Sequence, residues 1–192
     1  MAKSKKIFTF VLKHLSINSI HIFLFLLITI LIACTDSPEL NENLTDAINH
    51  YRMENGLSEI PVSQSLTIVA ETHVEDLYFN HPDTGLCNTH SWSDKGNWTA
   101  GCYIGDIEHA EIMWGKPMEL TSYTGYGYEI TAFSTNNNLT VEQVLKKWQD
   151  SDEHNDIILN RGKWNGIEWK AIGSAIFKNY AVVWFGKEVD NN

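Results

Sequence analysis

The residues able to do chemistry gather in two stretches. "CNTHSWSDKGNWTAGC" runs from Cys87 to Cys102 and sets His90 beside Ser91, inside a segment closed at both ends by cysteine. Farther on, Ser151 and His154 stand three residues apart in "WQDSDEHNDIIL". On one helix that spacing brings both side chains to the same face. Serine beside imidazole is the pairing of a nucleophile with its base, so hydrolysis is one chemistry this chain allows. A nucleophile also needs its base oriented by a third group and donors for an oxyanion, and nothing in the sequence supplies a recognisable set. Ser151 has a simpler role open to it, bonding back to the helix.

The elements that must hold these residues follow from periodicity. "PELNENLTDAINHYRMENG" (38–56) repeats Leu40, Leu44, Ala47, Ile48 and Tyr51 at helical spacing, with Gly56 as its stop. "PVSQSLTIVAETHVEDLYF" (61–79) predicts a second helix, capped by Ser63 or Ser65 and buried along Leu66, Val69, Ala70, His73 and Leu77. His73 on that stripe reads as a core residue. A short third helix is expected from Asp106 to a stop at Gly115 and Pro117. Its His109 and Glu111 are two apart and point away from each other.

Tyr126 to Ser134 alternates as a strand does. One helix is then expected over 136–159, opened by a Thr140–Gln143 capping box and packed through Val141, Val144, Leu145 and Trp148. "EWKAIGSAIF" and "YAVVWFGKEV" predict two strands joined by a tight turn at Lys178-Asn179. Their faces are both apolar: Ala171, Gly173, Ala175 and Phe177 on one, Ile172 and Ile176 on the other. Such a sheet must be covered on both sides. The expected class is therefore α+β, a three-layer α/β/α sandwich. No Gly-rich phosphate loop is present.

Residues 1–33 stand apart from this fold. Lys3, Lys5, Lys6 and Lys13 make a basic start, and Ile22 to Ala33 is a run of 12 residues without a charge, apolar but for Thr29. A bilayer-spanning helix needs about 20, so the run fits a secretory signal. "LIAC" (Leu31 to Cys34) resembles the bacterial lipobox, in which the cysteine carries lipid; an ordinary signal peptide with a chance cysteine is the alternative. The expected organisation is a lipoprotein signal over 1–33, a tether over 34–40 and one domain over 41–188.

The 33-residue leader holds four of the fourteen basic residues and none of the 24 acidic ones, so ten against 24 remain, a balance of −14. That surface repels nucleic acid. The membrane is expected to be reached only through the lipid anchor. With Cys34 assigned to lipid, Cys87 and Cys102 are left in an oxidising location. A bridge between them closes a loop of about 16 residues and contributes roughly 3 kcal/mol. Two free buried thiols are the alternative.

Several stretches together resemble the CAP superfamily (cysteine-rich secretory proteins, antigen 5, pathogenesis-related 1; the SCP domain). "INHYRMENGLSEIPVSQSLTIVAETHVEDL" is similar to that family's opening, a helix with N-x-x-R, a Gly turn and a second helix. "CNTHS" resembles its Cys-then-His-Ser segment, and "GYEIT" its Gly-Glu-Asn strand entry, with Ile130 where Asn is usual. "WQDSDEHNDIIL" followed by "AIGSAIF" matches the bacterial branch. The resemblance spans about residues 40–187 and implies a CAP-type sandwich with His90, Glu129, Ser151 and His154 around one cleft.

His81 in "YFNHP" is a rival for the first histidine; Cys87 and Ser91 favour His90. Ser151 stands where the family's secreted eukaryotic members carry a second glutamate, and the late histidine that they carry before the final strands is missing. His90, Glu129 and His154 are ligand types that a divalent ion such as zinc accepts. The alternative is that they only bond one another and fix the loop. The resemblance implies an exported, lipid-anchored module whose cleft takes a small molecule, lipid or peptide, more a binding protein than an enzyme. A metal-assisted peptide or ester hydrolase at the same cleft is the competing expectation.

Overall fold

The computed structural model describes residues 43–105, 107–135 and 138–192. The signal, Cys34, the tether and residues 38–42 of the first expected helix lie outside them. Among the described residues no helix is long and apolar enough to cross a membrane.

Helix α1 (Leu44–Glu54) starts where the Asn43 side chain accepts the Asp46 backbone N–H at 3.0 Å. Helix α2 (Gln64–Asn80) starts at Ser63, which accepts from the Leu66 N–H in the same way. Both are ordinary N-cap bonds to groups the helix itself cannot satisfy. The third helix, α3 (Ile107–Trp114), ends before Gly115 as expected, and a further short helix, α4 (Lys116–Leu120), follows it. Pro117 was expected to end a helix, but it sits in the first turn of α4, where its missing N–H costs nothing.

Strand β1 (Gly127–Phe133) is followed by α5 (Val141–Gln149) with its Thr140–Gln143 capping box, then α6 (Asp152–Ile158). The single helix expected over 136–159 is thus broken at Asp150-Ser151. Ser151 is extended (φ −110°, ψ 115°) as the N-cap of α6, ahead of acidic Asp152 and Glu153. A Ser-Asp-Glu step is itself a helix-start signal. A short 3-10 turn (Gly162–Trp164) leads to β2 (Ala171–Phe177) and β3 (Tyr180–Gly186).

The strands form an antiparallel sheet in the order β1-β3-β2, with Glu129 opposite Trp184 and Phe177 opposite Tyr180 across the tight hairpin. Strand alternation sends successive side chains to opposite faces. Ile130, Ile172, Val183 and Phe185 pack with α1, α5 and α6 residues such as Ile48, Trp148 and Ile157. Ala171, Val182 and Trp184 pack with α2 through Leu66, Val69 and Ala70. The result is the expected α+β three-layer sandwich.

One position fixes how closely α2 can lie. A Cβ added at Gly173 would stand 2.2 Å from the Thr67 backbone nitrogen and 2.3 Å from the Leu66 carbonyl carbon. Only glycine leaves room for helix backbone to rest on the strand. On the other side, Trp148 is 1% exposed and its Nε1 donates to Thr131 O at 3.0 Å, tying α5 to β1.

Candidate functional site

Glu129 is the third residue of β1, and alternation turns it toward α2 with no exposed side-chain surface. A buried carboxylate is tolerable only with donors around it. Two imidazoles supply them: His73 Nδ1 donates to Oε1 at 2.5 Å and His90 Nδ1 donates to Oε2 at 2.7 Å. His73 Nε2 faces the Ser91 carbonyl at 3.0 Å. Both nitrogens of His73 therefore face oxygens that accept, and only the doubly protonated ring satisfies both at once. Its face stacks on Trp92 at 4.1 Å and 8°. Lys116 Nζ lies 5.2 Å from the same indole's centroid, a cation–π distance.

Burial pushes the Glu129 carboxyl upward, but the charge of His73 and the hydrogen bonds from both histidines outweigh it and hold the group below its ordinary 4.5.

The loop that brings His90 to Glu129 is pinned along its length. Cys87 and Cys102 are bridged, with Cα atoms 5.0 Å apart. Asn88 N–H donates to Tyr103 O at 2.9 Å, and Trp92 pairs with Gly101 through two backbone bonds of 2.8 and 3.0 Å. Asn88 Oδ1 accepts the His90 N–H at 3.0 Å. Asp76 of α2 accepts from both Ser93 N–H and Ser93 Oγ. His90 keeps 20% of its side chain exposed, and with Nδ1 committed to Glu129 its other nitrogen is the one left for a ligand.

The remaining expected residues are placed otherwise. His154 is on α6 and forms no hydrogen bond to Glu129, both of whose oxygens are taken. Convergence on Glu129 would raise the pKa of His154 above the usual value. Instead burial, and then the charge of His90, lower it from 6.5. The influence of His90 puts the two rings in electrostatic reach of each other. Ser151 is not helical and does not share a helical i,i+3 face with His154; among the described residues its hydroxyl has no hydrogen bond to the imidazole. His81 is the exposed left-handed C-cap of α2 (φ 50°) and is not a partner of Glu129.

Among the described residues no three His, Cys, Asp or Glu groups are arranged to hold a metal ion. Both Glu129 oxygens face imidazole nitrogens.

His73 is the member the sequence reading missed. It lies on the apolar stripe as expected and is fully buried. Its signal was present: an ionisable ring in the middle of a core stripe demands a polar partner from elsewhere in the chain. Nothing local says that the partner is Glu129, 56 residues away.

The fold has counterparts in known proteins. A family model described as the cysteine-rich secretory protein family (CAP) matches residues 45–163, which contain His73, His90, Glu129, Ser151 and His154. An outer surface protein from Borrelia burgdorferi superposes with a TM-score of 0.50 at 17% identity, over 76% of this chain and 90% of that one. An extracellular protein containing a SCP domain from Bacillus anthracis gives 0.52 at 16% identity, over 76% of this chain but 39% of that one. No curated protein sequence matches the chain. At these identities the structural likeness speaks for the fold alone, while the family match covers more than half of the sequence and the whole constellation around Glu129: the chain belongs to the cysteine-rich secretory protein (CAP) family.

Proposed function

We propose that this chain is an extracytoplasmic ligand-binding CAP domain, tethered to the cell envelope by lipid on Cys34, in which His90 contacts the ligand. The observation that carries the binding assignment is the closed hydrogen bonding of Glu129. A carboxylate with both oxygens on imidazole N–H groups, and no exposed surface, is a scaffold and not a free general base. It fixes the orientation of His90, whose partly exposed ring edge is offered outward beside Tyr103 at 5.7 Å. Serine hydrolysis has less support, since Ser151 lacks the hydrogen bond to a base that a nucleophile needs; a metal-assisted hydrolase at the same cleft is the alternative that the chelator comparison below addresses. The envelope location is supported by the basic start, short apolar run and "LIAC" of the sequence. It is also supported by the outer-surface and extracellular relatives in fold.

Separate measurements test the tether and the site. Intact-mass analysis of membrane-extracted protein is expected to find acyl chains on Cys34, and an unlipidated soluble product defeats the tether. A panel of peptide and ester substrates, with and without chelator, is expected to show no turnover. Extraction of purified protein into organic solvent, with mass spectrometry, is expected to find a co-purifying small molecule that His90→Gln retains less well. Turnover that disappears in Glu129→Gln would replace the binding assignment with the hydrolase.

A further inference from the structure

Arg52, near the end of α1, is a buried cation without a counter-ion. It is 4% exposed. Its Nε donates to Ser58 O at 3.1 Å, and Nη1 donates to Ile158 O at 2.5 Å and Asn160 Oδ1 at 2.7 Å. All three acceptors are neutral. Among the described residues no carboxylate pairs with it, and Nη2, which makes none of these bonds and is not among the buried unpartnered side-chain atoms, keeps contact with solvent. Loss of hydration lowers its pKa to about 10. A guanidinium so placed gains more from an incoming anion than an exposed one does, because the cost of removing its water is already met in part.

The same side chain lines a cavity of about 670 Å³, within the size range of small-molecule sites. Its apolar surfaces come from Leu57, Ile167 and Trp169, and Lys170 adds a second cation. Glu59 and Glu168 also line it, and both are exposed. Two carboxylates against two cations leave no charge surplus, so the cavity disfavours phosphate, sulfate or a dicarboxylate. One negative charge on an apolar body is the match.

We propose that this cavity binds a monocarboxylate carried on an apolar body, its carboxylate accepting from Arg52 Nη2 while the body packs on Leu57, Ile167 and Trp169. The site is separate from His90 and does not depend on the function assigned there. A free acid and the C-terminal residue of an apolar peptide share this chemistry.

The test titrates the full chain with 3-phenylpropionate, with its neutral amide, and with N-acetyl-Ala-Leu as acid and as amide. Binding is read by calorimetry and by the NMR signal of the Trp169 indole N–H. Each acid that binds is expected to do so roughly tenfold more tightly than its amide, the difference between a charge-assisted and a neutral hydrogen bond, and to move the Trp169 signal. Which acid binds more tightly identifies the source. Arg52→Lys removes the fork but also disturbs the bonds to Ile158 and Asn160. Ile167→Trp leaves Arg52 intact and fills the cavity, and is expected to weaken acid binding at least about tenfold with an unchanged circular dichroism spectrum. The proposal is overturned by equal binding of acid and amide, by no response of Trp169 at about millimolar ligand, or by unchanged acid affinity in Ile167→Trp.

Discussion

Glu129→Gln isolates the charge at the centre of the site while keeping its shape. The wild-type carboxylate accepts two charge-assisted bonds, from His73 at 2.5 Å and His90 at 2.7 Å, with no side-chain exposure. Such bonds contribute about 1.5–3 kcal/mol each and neutral ones about 0.5–1.5. The carboxamide can keep one acceptor toward His73, but it presents an NH2 group to His90 Nδ1, which must change tautomer to accept it. The expected loss is about 1 kcal/mol per bond, or about 2 kcal/mol in all. Glu129→Ala leaves the His73 ring buried without its partner and is expected to cost about 3–5 kcal/mol. Urea unfolding at pH 7 followed by tryptophan fluorescence measures both. Acid adds a second signature. A carboxyl held below 4.5 in the folded chain stabilises fully above its unfolded value, and that contribution disappears as pH falls through the folded value. The gap between wild type and Glu129→Gln should therefore be constant near neutrality and shrink in the acid range below 4.5. Equal stability at pH 7, or a gap that acid leaves unchanged, would refute the bridging role of Glu129.

Replacing Cys87 and Cys102 by serine should cost about 3 kcal/mol for the loop they close and should speed hydrogen exchange at Asn88 and Trp92, whose N–H groups bond across the loop. Unchanged exchange would mean the backbone pairs hold His90 without the bridge. Gly173→Ala drives a methyl into α2 backbone that cannot step aside, and a loss of at least about 3 kcal/mol in chemical denaturation is expected; a loss under about 1 kcal/mol would show that α2 is free to shift. His154 should titrate below 6.5 by NMR, first from burial and then from His90. In His90→Gln its value should rise only part of the way back, and no rise would place the two rings out of electrostatic reach.

Local pattern carried most of the architecture. Caps at Ser63 and Thr140, the stripe from Leu66 to Leu77 and the two-faced apolar strands Ala171–Phe177 and Tyr180–Gly186 are written in spacings of a few residues. They depend on backbone groups and burial within the same segment, so the sequence alone determined them, together with the cysteine pair. The break at Ser151 was also locally written, in the Ser-Asp-Glu step within the polar run from Gln149 to Asp156. The site itself was a matter of tertiary structure. His73 looked like one more core position, and Glu129 like one more strand residue. Their meeting across 56 residues, with His90 added by the disulfide loop, depends on α2 lying against the sheet at Gly173. No local preference encodes that approach. It follows from packing, and packing decided that Glu129 is held by His73 and His90.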